Sequence, residues 1–184
     1  MPKNQNQNIS LKLTASLAML VAISIILGKY LAISVGEVLR FSFENLPIIF
    51  AGIAFGPIPA LLVAVTADLV GCLLVGYAVN PIVTLGAAAI GLASGFAPML
   101  LKKYSKLSGT PLIIITVVLS HLFGSVLIKT FGLAVFYDMP LFILMLWRLL
   151  NYAIVSALEI LLLCVLFKRD GIRQQIEKIK QKSK

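Results

Sequence analysis

Six apolar runs, most of them near the length a helix needs to cross a bilayer, constrain this chain more than any other feature. A hydrocarbon core of about 30 Å takes roughly 20 apolar residues at a helical rise of about 1.5 Å. The first run extends from Leu11 to about Leu27, after a polar head from Met1 to Ser10. The second, Leu46 to Phe55, is short and stops at Gly56-Pro57-Ile58-Pro59. Two prolines so close together each remove an N–H and clash with the preceding turn, so no helix runs through them. The remaining runs are Ala60 to about Val75, Pro81 to Leu101, Pro111 to Phe136 and Leu141 to Leu166. Pro81, Pro111 and Pro140 stand at or just before three of the starts, where proline is tolerated. The expected fold is all-α: a polytopic membrane protein with six transmembrane helices and a short second helix. Its expected divisions are a polar cytoplasmic N-terminus at 1–10, a six-helix transmembrane domain at 11–167 and a basic cytoplasmic tail at 168–184. The first run is less well read as a signal peptide, with Lys3 and Lys12 ahead of it and Ala32-Ile33-Ser34 as a loose cleavage site. Five hydrophobic segments follow, and a retained first helix closes the bundle.

Composition agrees. Hydrophobic residues make up 60% of the chain and charged residues 12%, against about 25% charged in soluble domains. Nucleic-acid binding, coiled coil and disorder are therefore excluded as main readings, despite a net charge of +9. That charge has a topological explanation. With six spans, one side carries Lys3, Lys12, Lys102, Lys103, Lys106 and the tail residues Lys168, Arg169, Arg173, Lys178, Lys180, Lys182 and Lys184. The other carries Lys29 and Arg40. The positive-inside rule places both termini in the cytoplasm of a plasma membrane. An anionic-lipid contact by the tail is compatible with the same charge. Cys72 and Cys164 both lie inside apolar runs and offer neither a disulfide framework nor a metal-binding pair.

Asp68, Lys129, Arg148, His121 and Glu159 fall inside the spans. Ionisable groups there are costly and mark the bundle interior or a wet cavity. Counted along their helices, Asp68, Lys129 and Arg148 lie roughly 10–14 Å beneath the outer surface. Three helices thus offer charge at one depth, as a pocket open to the outside requires. Trp147 and Asn151 are spaced i, i+4, and Arg148 and Asn151 i, i+3, on or beside one face of the sixth helix. Tyr77, Asn80 and Tyr137 are rim candidates. Competing readings are a structural ion pair between Asp68 and Lys129 or Arg148, and an interfacial aromatic belt for Trp147 and the tyrosines. Glu159, near the cytoplasmic side, is expected to pair with a basic residue, and His121 to act as an interhelical hydrogen-bonding group.

Small residues recur every fourth position: Thr14, Ala18 and Ala22 on helix 1, Gly52 and Gly56 on helix 2, and Ala87, Gly91 and Gly95 on helix 4. In lipid such stripes let helices approach closely. For helix 1 an exposed docking face and internal packing are equally open readings. The connection from Lys29 to Asn45 is long, and its Ile33, Val35, Val38, Phe41 and Phe43 are too apolar for a solvated linker. A loop of this kind is usually functional. It is expected to be a lid over the outer pocket, closed by Arg40, Phe41 and Phe43.

Leu39-Arg40-Phe41-Ser42-Phe43-Glu44-Asn45-Leu46-Pro47-Ile48, followed by Gly52, by Gly56-Pro57 and by Asp68-Leu69-Val70-Gly71, resembles the folate-type substrate-binding subunits (S components) of energy-coupling factor transporters. The likeness spans nearly the whole chain. Its most specific part is the short second helix ending in Gly-Pro; the AxxxA of Ala18 and Ala22 and the Arg148 and Asn151 pair agree with it. Pro59-Ala60 and Cys72 depart from the pattern, standing where a glycine and an aromatic residue are expected. The resemblance implies a prokaryotic vitamin-capture subunit with no ATPase or cofactor of its own. It binds folate or a related vitamin at the outer face and docks through Ala18 and Ala22 onto a transmembrane coupling protein bearing two ABC-type ATPases. Delivery is by toppling within the membrane. The absence of a phosphate-cradling GxxxxGK[ST] loop agrees with an energy source elsewhere.

On that reading Asp68 accepts hydrogen bonds from a pterin, Trp147 or Tyr77 stacks on it, and Arg148 or Lys129 meets a carboxylate or the pterin carbonyl. Lys129, Asn151, Asn80, Arg40 and Phe43 complete the candidate substrate-binding set, with no catalytic residue and no metal ligand. An S component for thiamin, riboflavin, pantothenate or a queuosine precursor would use the same scaffold. A proton-coupled secondary transporter would use Asp68, His121 and Glu159 as a relay. A membrane enzyme is the weakest reading, since the sequence has no HExxH, no GxSxG and no carboxylate cluster at metal-ligand spacing.

Overall fold

The computed structural model describes residues 4–35 and 39–181, with the backbone alone at 4–10, 34, 35, 39, 40, 137, 180 and 181. Helix α1 covers Asn4–Ile25 and continues through a π-helical turn, Ile26–Tyr30. The backbone is therefore already helical in the polar head, and the first span reaches Tyr30 rather than Leu27. Two three-residue strands follow, β1 (Ile33–Val35) and β2 (Leu39–Phe41), paired antiparallel with Ile33 opposite Phe41 and Ser34 opposite Arg40. The remaining elements are α2 (Asn45–Phe55), α3 (Pro57–Val75), α4 (Pro81–Ser105), α5 (Thr110–Ser120), a π-helical segment (His121–Lys129), α6 (Thr130–Tyr137), α7 (Leu141–Lys168) and α8 (Asp170–Gln181).

Among the described residues five helices are long and apolar enough to cross a membrane: Leu11–Tyr30, Pro57–Val75, Pro81–Ser105, Thr110–Phe136 and Leu141–Lys168. The sixth, α2, has 11 residues, about 16 Å, and does not reach across a bilayer core alone. Its end is sharper than the two prolines imply. Gly56 at φ 99° makes the whole break, a backbone conformation closed to most L-residues, and Pro57 and Pro59 both fall in the first turn of α3. The segment read as one fifth helix is α5, the π-helical segment and α6 in continuous succession. Pro98 sits inside α4 without ending it.

Small residues set the packing. α4 lies among α2, α3, α5 and the π-helical segment, and its buried face is Gly86, Ala87, Ile90, Gly91, Ser94 and Gly95. A Cβ at Gly91 would stand 2.7 Å from the carbonyl oxygen of Ala60, and one at Gly52 would overlap Ser94. These two stripes are interior packing, as expected of helices that associate by van der Waals fit rather than by hydrophobic exclusion. The core proper joins Leu20, Ile48, Ile49, Ala60, Val63, Ala64, Ala87, Ile90, Val117 and Leu163 from six helices. Phe50 stacks on Phe167 with ring centres 5.0 Å apart, holding the middle of α2 against the end of α7. The α1 stripe differs: Thr14, Ala18 and Ala22 are all exposed, so that of its two readings the packing one is removed.

The basic tail forms a helix that its hydrophilic composition does not announce. In α8, Ile172 and Ile179 are half-buried and Ile176 is buried, beside α1, α2 and the end of α7. Between these elements runs a groove of about 320 Å³, lined by Met19, Leu20, Ile23, Phe50, Phe55 and Ile176 among others, with Ser16 and Gln175 its polar members.

Candidate functional site

Polar recognition requires convergent polar groups, and the apolar groove beside α8 lacks them. They converge instead where the first span, the turn into α2, α3 and the π-helical segment meet. There Ser24, Ile25 and Lys29 of the first span, Glu44 before α2, Ile48 of α2, Ala64, Ala67 and Asp68 of α3, Ala87 of α4 and Lys129 surround one small cavity.

Each charged group is held by the local fold. Lys129 closes the π-helical segment and is buried; its Nζ donates to Glu44 Oε1 at 2.8 Å. Its stem passes Gly86, where even a methyl group would collide with Lys129 Cγ, so a glycine on α4 is what admits the lysine. Glu44 is positioned from helix 1: Ser24 Oγ donates to the Glu44 carbonyl at 2.6 Å. Asp68 Oδ2 accepts from Thr84 Oγ1 at 2.7 Å, linking α3 to α4. Lys29 Nζ lies 3.7 Å from Cys72 Sγ and 5.9 Å from the Tyr77 ring centre. Two ammonium groups and two carboxylates thus share a site drawn from four segments. The cavity they surround has about 10 Å³, room for about one water.

Asp68 and Lys129 therefore meet at one depth, as their positions along the helices imply, and each has another partner than the ion pair considered for them. Arg148 belongs to a neighbouring network. Its Nη2 donates to the Tyr152 hydroxyl at 3.1 Å and lies 3.4 Å from the carbonyl of Ser125, a residue of the same π-helical segment as Lys129. Arg148 Nε is buried with no hydrogen-bond partner among the described residues. Asn151, one turn along α7, is buried beside it in sequence, on the packed face with Val155 and Glu159. Strand β2 packs against α7.

Several expected contributors stand elsewhere. Trp147 is 45% exposed, at the margin of the packed face of α7 rather than on it. Asn80 is a capping residue: its Oδ1 accepts from the N–H groups of Ile82 and Val83, and its Nδ2 donates to the Gly132 carbonyl at 3.0 Å. The amide is thus engaged at both ends. Tyr77 is exposed and faces Lys29. Phe43 is half-buried at the turn into α2. The side chains of Arg40 and Tyr137 lie outside the described residues.

Below this site His121 and Glu159 form a buried pair, Nε2 to Oε2 2.6 Å, with His121 Nδ1 3.2 Å from Ser125 Oγ. The basic partner expected for Glu159 and the interhelical bond expected for His121 are thus one interaction.

Glu44, Lys29, Ser24, Thr84 and Asn45 were not legible as site residues. Lys29 counts as a loop charge until the π-helical turn carries the first span past it. Asn45, the first residue of α2, is fully buried, and neither atom of its amide has a partner among the described residues. A buried amide left so costs about 1–3 kcal/mol per unsatisfied group, a cost that a polar ligand or water relieves.

The sequence profile of the family described as "ECF transporter, substrate-specific component" matches residues 12–167. No curated protein matches the sequence. Among solved structures, FolT bound with folic acid aligns at a TM-score of 0.64 and 24% identity, over 80% of this chain and 87% of that one. The S component of a bacterial ECF transporter aligns at 0.61 and 22% identity, over 87% of this chain and 99% of its own. The S component for biotin from an ECF-type ABC transporter aligns at 0.62 and 19% identity, over 95% and 98%. At these identities the likeness is one of fold.

Proposed function

The chain belongs to the family of substrate-specific components of ECF transporters, and from that premise we propose that it captures folate at the outer face of the membrane and delivers it through a coupling module. The observation that carries this reading is the convergence of Lys29, Glu44, Asp68 and Lys129 around one cavity, with Arg148 of α7 bonded to the π-helical segment that ends in Lys129. Folate presents a pterin with paired N–H donors and a tail with two carboxylates. A site holding both signs of charge can meet both ends: Asp68 the donors, Lys129 or Arg148 a carboxylate. The fold of folate-bound FolT supports the choice of ligand.

The exposed stripe of Thr14, Ala18 and Ala22 is the surface for the partner. Small side chains on a lipid-facing helix permit close backbone approach by another membrane helix. We assign it to a transmembrane coupling protein, with transport powered by two ABC-type ATPases. The basic residues Lys102, Lys103, Lys168 and Arg169 flank the ends of the spans; by the positive-inside rule they support cytoplasmic termini, and the family resemblance supports a prokaryotic cell.

The test is calorimetric titration of the detergent-purified protein with folic acid, and with thiamin, riboflavin, pantothenate and biotin in parallel. Saturable nanomolar binding of folic acid alone upholds the reading. Tight binding of another vitamin keeps the family and replaces the ligand. Transport by the chain alone in proteoliposomes would refute it in favour of a secondary transporter.

A further inference from the structure

A vitamin-sized ligand needs a pocket on the order of 300 Å³ or more, and the polar cavity offers about 10 Å³. Something must leave before a ligand enters. The group in place at Lys129 is a carboxylate of the protein itself, at 2.8 Å. We propose that Glu44 is an internal stand-in for a ligand carboxylate, and that a carboxylate-bearing ligand binds by displacing it from Lys129. This rests on the proposed function and narrows it, since it makes the ligand class anionic.

Three observations carry the proposal. Charge is the first. Among the described groups that line the cavity, Lys29 and Lys129 face Glu44 and Asp68. A ligand carboxylate set against Lys129 beside Glu44 would crowd two carboxylates onto one buried ammonium, and such like-charge crowding at membrane depth is strongly disfavoured. Exchange of one carboxylate for another at Lys129 keeps the pairing constant. Asp68 is less suited to leave, because the Thr84 hydroxyl holds it at 2.7 Å.

The second is that Glu44 is anchored through its backbone while its side chain reaches the surface. Ser24 holds its carbonyl at 2.6 Å, and its Cβ lies where only Gly28 leaves room: a Cβ there would come within 2.7 Å of it. Its side chain is nonetheless 25% exposed, against 5% for Lys129. The carboxylate can swing toward water about an anchored backbone, whereas the buried ammonium stays.

Position is the third. Glu44 ends the segment that carries the hairpin and begins the turn into α2, with Phe43 O accepting from Leu46 N at 3.2 Å. Releasing it frees the turn that enters α2. A ligand must therefore overcome the internal pair, which lowers its apparent affinity.

The test uses the full-length protein and the variants Glu44→Gln and Glu44→Ala. Glu44→Gln keeps the shape and weakens the pair; we expect it to bind folic acid roughly five- to tenfold more tightly and to leave the affinity for 6-hydroxymethylpterin, which has no carboxylate, unchanged. Ligand-free Glu44→Gln should unfold at a lower temperature than the wild type, and the two should unfold together at saturating folic acid. A purely structural role lowers both by the same amount. Weaker or unchanged folic acid binding overturns the proposal and makes Glu44 a ligand contact or a structural residue. A second arm needs no vitamin. Acetate should raise the unfolding temperature of Glu44→Ala over chloride at equal ionic strength, and should not do so in Glu44→Ala combined with Lys129→Met. No acetate effect overturns the proposal, even if the protein binds folic acid. A wild type blind to folic acid with acetate rescue intact overturns the folate reading and leaves the displacement standing.

Discussion

His121 Nε2 and Glu159 Oε2 lie 2.6 Å apart, from segments 38 positions distant in sequence, and both side chains are almost wholly buried. Such a pair contributes little net stability compared with an apolar pair of the same size, but losing one partner strands the other. His121→Leu alone or Glu159→Leu alone is expected to destabilise the protein by about 3–5 kcal/mol. The double variant His121→Leu/Glu159→Leu should recover most of that loss. Thermal unfolding of the four proteins in one detergent checks the cycle, and additive losses would show that the two side chains act separately.

Arg148→Ala removes a guanidinium of α7 engaged with Tyr152 and the Ser125 carbonyl. Folic acid affinity is expected to fall more than tenfold, about 1.4 kcal/mol or more, with the fold intact by circular dichroism. Equal affinity in a folded variant removes Arg148 from the site.

Asn45→Leu replaces a buried amide with an apolar side chain of similar size. Because the amide has no partner among the described residues, ligand-free stability should hold or rise by about 1 kcal/mol. Ligand binding should weaken if the amide serves the ligand. Unaltered affinity, measured by calorimetry, would assign Asn45 to an ordered water instead.

Ala18→Leu combined with Ala22→Leu enlarges two exposed positions of α1. Vitamin binding should stay within twofold, and co-purification with the coupling module and transport in reconstituted vesicles should fall at least tenfold, roughly 1.4 kcal/mol of association. Intact transport would move the docking surface elsewhere.

The spans were readable in the sequence because bilayer thickness imposes run length and because Pro57, Pro81, Pro111 and Pro140 punctuate the runs. The depth shared by Asp68 and Lys129 was readable for the same reason: helical rise converts position into height. Which partner each meets was not. Lys129 pairs with Glu44 across 85 positions, and Glu44 sits in a stretch with no helical period to say which way it faces. The α8 helix was hidden by its hydrophilic composition, since its apolar face is only the isoleucines at 172, 176 and 179. Asn80 looked like a rim residue because the sequence places it beside Tyr77, whereas its own backbone needed it as a cap. Trp147 shared a calculated margin with Asn151, and the actual rotation of α7 leaves the ring largely uncovered.

The π-helical stretch from His121 to Lys129 acts as a phase shifter. Each residue of an ordinary α-helix advances the side-chain direction by about 100°, and the wider i→i+5 turns advance it less. His121 and Lys129 bound the stretch, so the angle between the direction that finds Glu159 and the direction that finds Glu44 is set by winding. Deleting one residue between them would turn Lys129, and every side chain that follows it on the helix, away from its present neighbours, so that Lys129 no longer met its carboxylate. The chain's handling of charge in lipid thus depends on a count of residues per turn, a quantity that no single side chain carries.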